Sequence, residues 1–288
     1  MNDSVKREEW FCPGLSDIRF FAREWKPLRK QPKAVIALSH GQGEYGERYS
    51  HVGEHLAAEG YVLLSIDHYG HGRSGGKRGH MPSYNVMMDH TGLMLEQCAK
   101  RHPGLPVYLY GHSMGGNIAL NYSLRFKPPI KGLILTSPWL QLAFKPPAVK
   151  EWIGKKLSVL LPSIPMSTGL KVKDLYREGP SFRASMAMDD FCHTIITPRA
   201  YTELQSASEW AGSHSGELNV PLLLMHGTAD RITSFEASRR LAEGLGGRCE
   251  WKPWAGGLHE LHNDLERDEM LSTMTNWLNR QLQVKCSE

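Results

Sequence analysis

The stretch VYLYGHSMGGNIALNYSLRF, residues 107–126, decides how this chain is read. Four apolar, β-forming residues run without a gap into Gly111-His112-Ser113-Met114-Gly115, and small residues followed by helically spaced apolar ones lead away. That is the sequence form of a strand turning sharply into a helix with a serine at the turn, a G-x-S-x-G elbow. The glycines have a steric reason, because neighbours at such a turn stand too close for Cβ atoms. A helix starting there aims its N-terminal amides and partial positive charge at the space beside the serine hydroxyl. The chain also contains its own control. Gly72-Arg73-Ser74-Gly75-Gly76 fits the same pattern, but it lies seven residues past Asp67 and leads into GKRGHMPS, which cannot start a helix at once. Ser113 is therefore the candidate nucleophile.

Working outward, short apolar runs ending in glycine or turn-forming residues alternate with longer amphipathic segments. AVIALSHG (34–41), YVLLSIDHYG (61–70), VYLYGHS (107–113), GLILTSP (132–138) and PLLLMHG (221–227) are apolar throughout, as parallel strands covered on both faces must be. IRFFAREW (18–25) and CEWKPWAG (249–256) read as flanking strands, and Tyr49–Glu59, Val86–His102, Gly115–Phe126, Phe235–Leu245 and Leu265–Val284 as helices. In the last of these, Leu271, Met274, Leu278 and Leu282 form a stripe at three-to-four spacing that should lie on the sheet. The class is α/β, with a mostly parallel central sheet and helices on both faces. One connection breaks the rhythm, the 83 residues from Pro138 to Val220. So long a crossover implies an inserted cap subdomain over 138–220, with the core formed by 1–137 and 221–288. Within it, AVKEWIGKKLSVLLPSIPM carries Lys150, Lys155 and Lys156 among apolar residues. This is either a packed cap helix with a solvated lysine face, the simpler account, or a lid helix facing a lipid-like ligand or a membrane surface.

Composition narrows the function. The 288 residues are 41% hydrophobic and carry 34 Lys and Arg against 30 Asp and Glu, a formal charge of +4. That excludes a disordered or fibrous chain, and the mixed signs lack the basic stripe that nucleic acid requires. No apolar run approaches the ~20 residues of a membrane span. The nearest, LSVLLPSIPM at 157–166, is broken by prolines and serines. The start, MNDSVKREEW, has no apolar h-region, so no secretory signal is expected. Cys12, Cys98, Cys192, Cys249 and Cys286 form no CxxC pair, and reduced thiols in the cytoplasm are expected.

A serine hydroxyl needs a base, and the base needs a carboxylate to fix its tautomer. On a sheet of this kind the chain order is Ser, Asp, His. After PLLLM, the segment HGTAD puts Asp230 in a loop at the strand's carboxyl end, where such sheets place their sites. After WKPWAGG comes His259, ahead of the last helix, with His262 as its rival. His259 is preferred because Asn263 and Glu266 resemble a cap that would hold His262 against that helix. Two amide donors must receive the tetrahedral oxyanion. Met114, after the nucleophile, supplies one, and His40-Gly41-Gln42-Gly43 supplies the other through the Gln42 amide. Gly70-His71-Gly72-Arg73-Ser74-Gly75 also satisfies G-x-G-x-x-G, but without the helix a dinucleotide site requires. The fourteen histidines show no HExxH and no cysteine-containing zinc pattern, so no metal is expected.

Taken together, the motifs resemble the monoacylglycerol lipase and lysophospholipase family of α/β-hydrolases over roughly Trp10 to Leu282. The likeness rests on His40-Gly41-x-Gly43-Glu44 with Arg48-Tyr49, on Asp67-His68-x-Gly70-His71-Gly72-x-Ser74, on Gly111-His112-Ser113-Met114-Gly115-Gly116, on His226-Gly227-x-x-Asp230, and on His259-Glu260-Leu261. It implies an α/β-hydrolase fold, a Ser113, Asp230 and His259 triad, amide donors at Gln42 and Met114, and a cap over an acyl pocket. It further implies cleavage of monoacylglycerols or similar single-chain esters through an acyl-enzyme, without a cofactor. A lysophospholipase, a broad carboxylesterase or an S33-type peptidase is the alternative within the serine class, and a non-catalytic binding protein on the same fold lies outside it. Tyr45 stands where the family usually has histidine, and Tyr69 where arginine is common, which implies a changed alcohol side. Asp189-Asp190-Phe191-Cys192-His193 only loosely matches the family's Asp-Pro-Leu-Val-His.

Overall fold

The computed structural model describes residues 4–14, 18–144, 148–179 and 188–283, with backbone alone for 148–151. Val284 and Cys286 lie outside the described residues, as does the Lys150 side chain. In chain order the first elements are β1 (Val5–Pro13), β2 (Arg19–Pro27), β3 (Ala34–Ser39), α1 (Ser50–Ala58), β4 (Tyr61–Ile66), α2 (Tyr84–Arg101), β5 (Val107–His112), α3 (Met114–Phe126) and β6 (Leu133–Thr136). There follow α4 (Ala148–Leu160), β7 (Met166–Ser167), α5 (Val172–Leu175), β8 (Ile195–Ile196), α6 (Pro198–His214), β9 (Leu222–Gly227), α7 (Phe235–Leu245), β10 (Cys249–Trp254) and α8 (Arg267–Gln283).

Eight strands form one sheet in the order β1-β2-β4-β3-β5-β6-β9-β10. The pairs β1–β2 and β2–β4 are antiparallel and every later pair is parallel. The continuous apolar runs are explained by coverage on both faces. On one face, Val35 and Ala37 of β3 belong to the same buried cluster as Met94 and Cys98 of α2, Leu120 of α3 and, further along the sheet, Leu241 of α7. The alternating Ile36 and Leu38 pack with Val52 and Leu56 of α1 and with Met274 and Trp277 of α8. Leu271, Met274 and Leu278 of the predicted stripe are buried there, with Leu282 half-buried at its end. Each fully buried side chain of this size contributes about 1.5–3 kcal/mol, so α8 is fixed firmly to the sheet.

Each of the five helices expected in the core is found within two residues of its predicted ends. The strand β1 was not foreseen. Its VKREEWFCP carries four consecutive charges, and ion pairs such as Lys26–Glu8 and Arg7–Glu47 hold it. An edge strand is protected by such charge, which also erases the apolar signal.

Between β6 and β9 the chain behaves in two ways. Leu204, Ala207 and Ala211 of α6 are buried, two of them in the cluster that holds Ile118 of α3. In α4, by contrast, Trp152 is 62% exposed, Val159 74% and Leu160 73%. No helix among the described residues is long and apolar enough to cross a membrane.

Candidate active site

All three sequence-selected side chains stand at the carboxyl edge of the sheet. Ser113 sits between β5 and α3, Asp230 in the loop after β9, and His259 in the loop after β10. The elbow is as tight as the pattern requires, with Ser113 at φ 52, ψ −116. A Cβ on Gly115 would fall 2.0 Å from the Ser39 carbonyl oxygen, and one on Gly111 would fall 2.5 Å from the Gly115 carbonyl oxygen. Only glycine allows β5, α3 and β3 to meet there. The turn is pinned by the Trp139 N–H donating to the Ser113 carbonyl at 2.9 Å.

Ser113 Oγ lies 2.9 Å from His259 Nε2, and His259 Nδ1 lies 2.8 Å from Asp230 Oδ2. The Asp230 carboxylate also accepts from the Ile232 N–H at 2.7 Å, the Thr233 hydroxyl at 2.8 Å and His226 Nε2 at 3.0 Å. Burial favours protonation of Asp230, yet the facing His259 and His226 hold it well below the usual carboxylate range. Burial would lower His259, but the Asp230 charge outweighs it and raises the imidazole above its ordinary value. An ionised carboxylate on Nδ1 leaves Nε2 free to accept the Ser113 proton.

The two rivals have structural work instead. Ser74 Oγ donates to the Asp67 carbonyl at 2.6 Å and accepts from the Phe21 N–H at 2.9 Å, tying its loop to β2. His262 stacks on Tyr49 with centroids 4.4 Å apart, and burial, with the nearby His112 and His51, keeps it far below its ordinary value. The reason offered from sequence for setting His262 aside needs correction. α8 begins at Arg267, so Glu266 precedes it and its carbonyl accepts from the Met270 N–H, while the Asn263 amide serves Glu260.

Gln42 and Met114 flank the same serine. Met114 opens α3, so its N–H has no acceptor within the helix. His40 Nε2 accepts from the His68 N–H at 3.0 Å, so its proton is on Nδ1, which donates to the Gly41 carbonyl at 2.9 Å. The peptide is trans, so the Gln42 N–H on its opposite edge points away from His40. A Cβ on Gly41 would stand 3.3 Å from the Ser113 Cβ, which sets how closely this loop passes that serine.

These groups open on a cavity of about 310 Å³, lined by apolar residues such as Trp139, Leu142, Leu175, Ile196 and Ile232. Glu44 and Glu260 also reach it. Sequence reasoning gave them no role, although both stand in the motifs that carry the resemblance. Arg48 lies between them, donating to Glu44 at 2.9 Å and to both Glu260 oxygens at 2.8 and 2.7 Å. Burial, reinforced by Glu260, pushes Glu44 up to about 7 against the pull of Arg48. Glu260 stays below the usual range, because the Arg48 grip overcomes its burial. Tyr45 and Tyr69 are not among the residues lining the cavity. Tyr45 instead donates its hydroxyl to Asp189 Oδ2, and the Tyr69 ring covers Gly76.

The chain belongs to the α/β-hydrolase family described as serine aminopeptidase, S33, whose model matches residues 30–266. It is similar to a monoacylglycerol lipase of Mycolicibacterium smegmatis, 29% identical over 96% of this chain and 98% of that one. A monoglyceride lipase of Homo sapiens is 32% identical over 85% of this chain and 81% of its own. Among solved structures, the crystal structure of a monoacylglycerol lipase from Paleococcus ferrophilus superimposes with a TM-score of 0.79 at 28% identity, covering 96% of this chain and 99% of that one.

Proposed function

We propose that this family member is a carboxylic ester hydrolase that cleaves monoacylglycerols, or similar single-chain acyl esters, through an acyl-enzyme on Ser113. The observation that carries the reading is the unbroken Ser113–His259–Asp230 hydrogen-bond chain opening on an apolar cavity. Its relatives' names agree with a lipid ester as substrate.

In the first half-reaction Ser113 Oγ bonds to the ester carbonyl carbon while His259 Nε2 takes its proton. The carbonyl electrons move onto oxygen, which the Gln42 and Met114 N–H groups receive. Asp230 holds the His259 tautomer and offsets the imidazolium charge. Collapse breaks the bond to the alcohol oxygen, which leaves with the proton from His259. Water then gives a proton to His259 Nε2 as its oxygen bonds to the acyl carbon, and collapse breaks the bond to Ser113 Oγ, which takes that proton back from His259 as the fatty acid leaves.

The family model is named for an aminopeptidase, an activity that requires a negative group for the substrate ammonium. Among the described residues, both carboxylates at the cavity, Glu44 and Glu260, are already engaged by Arg48, which favours an uncharged head group. In this reading residues 138–220 are a cap, and the exposed Trp152, Val159 and Leu160 of α4 beside Lys155 and Lys156 meet the membrane surface that delivers the lipid. Unpaired Cys12, Cys98, Cys192 and Cys249 suit a cytoplasmic setting.

The test compares monoacylglycerols, lysophospholipids, short aryl esters and peptide amides at matched concentration. Monoacylglycerols are expected to turn over fastest, with Ser113→Ala losing about 10⁴-fold or more in kcat and escaping fluorophosphonate labelling. Wild-type turnover by Ser113→Ala, or a preference for amides, rejects the assignment. In the same assay Trp152→Ser should lose rate on anionic vesicles of substrate and keep it on a monomeric short ester; equal rates on both would remove the membrane role of α4.

A further inference from the structure

We propose that the segment Asp189–Ile195 is a positioning strap for the loop His40–Tyr45, so that the aim of the Gln42 N–H is set by the 138–220 insertion as well as by the core. The inference rests on the reading of that N–H as an oxyanion donor.

The loop is held from two sides. On the core side the Gly41 peptide is fixed at both ends, its N–H donating to Glu44 Oε1 at 2.5 Å and its carbonyl accepting from His40 Nδ1. On the other side the next residues hang from the strap. The Gln42 side-chain amide donates to the Ile195 carbonyl at 2.7 Å, and the His193 N–H donates to the Gly43 carbonyl at 2.8 Å. Gly43 takes φ +78, and a Cβ there would fall 2.1 Å from the His193 carbonyl oxygen. The two backbones are therefore in direct contact, and no side chain at position 43 fits between them. Tyr45 closes the joint. Its hydroxyl donates to Asp189 Oδ2 and its ring meets Phe191 with centroids 5.6 Å apart.

The contact joins two places where the sequence departs from its family pattern, Tyr45 for the usual histidine and Asp190-Phe191, after the shared Asp189, for Pro-Leu. Neither departure lines the cavity, and they meet where the Tyr45 ring faces Phe191, while the Tyr45 hydroxyl reaches the shared Asp189. They form a matched pair whose shared effect falls on the loop between them. A donor amide works only if it is already aimed at the developing charge, and a peptide tethered at one end alone can turn away. Tyr45 and the Gln42 side chain are thus positioning residues, acting through a backbone N–H that neither of them supplies by its side chain.

The test uses an acyl ester and its thionoester, in which sulfur replaces the carbonyl oxygen. Sulfur is a weak acceptor, so an enzyme relying on aimed amides favours the oxygen substrate strongly. Tyr45→Phe and, independently, Gln42→Met should each lower kcat on the ester by about tenfold, short of the ~10²–10³ for removing a donor outright, with KM within about twofold. Both should shrink the oxygen-to-sulfur rate ratio by a similar factor. Asp189→Asn, which keeps an oxygen for the Tyr45 hydroxyl, should retain wild-type kcat and ratio, whereas Asp189→Ala should match Tyr45→Phe. Variants with wild-type kcat and ratio overturn the strap, and so does a loss shared equally by both substrates, which marks a general structural defect. A wild-type enzyme that does not discriminate between the two substrates overturns the oxyanion reading itself, whatever the variants do.

Discussion

The two sides of Ser113 are built differently. On one side, the bonds to the Asp230 carboxylate come from His226 of β9 and from Ile232, Thr233 and His259 in loops after β9 and β10, and the connection after β6 touches this side one residue further on, where the Glu260 N–H donates to the Leu175 carbonyl at 2.7 Å. Toward Gln42, the anchors are shared between β3 and a segment that arrives from the long connection after β6. The Asp230 carboxylate is thus held by the sheet and the loops leaving it, while the Gln42 side is bonded directly by residues of the connection after β6.

The sharpest way to break this contrast is on the relay side. His259→Ala should lower kcat by about 10⁴-fold or more, as loss of a base acting in concert with a serine does. His262→Ala, three residues on, removes a buried ring stacked on Tyr49 and should cost stability, with a kinetic loss of no more than about tenfold. Steady-state kinetics and melting curves of the two variants check this, and the opposite order would exchange their roles.

A finer probe lies in the pH profile. His259 must be neutral to accept a proton, so the rate falls as pH drops through its pKa. Asp230 and, after it, Glu260 raise that pKa against burial, which moves the acid limb above the position of an ordinary histidine. Glu260→Gln removes one negative charge, lowers the pKa and should shift the acid limb of kcat/KM to lower pH. An unmoved limb would show that the Glu44–Arg48–Glu260 cluster holds the loop together without tuning the base.

How much of this was legible follows the same divide. The runs 34–41, 107–113 and 221–227 announce strands because both faces are covered, and residues just past such strands must lie at one edge. That is why Ser113, Asp230 and His259, 146 residues apart at the extremes, could be chosen together from sequence. Context also separated Ser113 from Ser74, since only one is followed at once by a helix. What stayed hidden depends on contacts that have no period. The hairpin strand β1 is held by cross-strand charge such as Lys26–Glu8, Asn263 turned from the expected helix cap to Glu260, and the Tyr45–Asp189 joint links residues 144 apart through an irregular loop. Hydrophobic pattern reports what faces the core and says nothing of a hydroxyl meeting a carboxylate above it.

The backbone angle at Ser113 has a price outside chemistry. An L-residue at φ 52, ψ −116 stores about 1–3 kcal/mol that the surrounding packing must absorb, and glycine alone would relieve it. Ser113→Ala and Ser113→Gly lose the same hydroxyl, but only the second frees the turn, against about 0.4–1 kcal/mol of extra freedom in the unfolded chain. The glycine variant should therefore melt at a higher temperature than the alanine variant while being equally inert. Durability and turnover compete at this one residue, and a lineage released from the need to hydrolyse anything would drift toward a sturdier, silent protein.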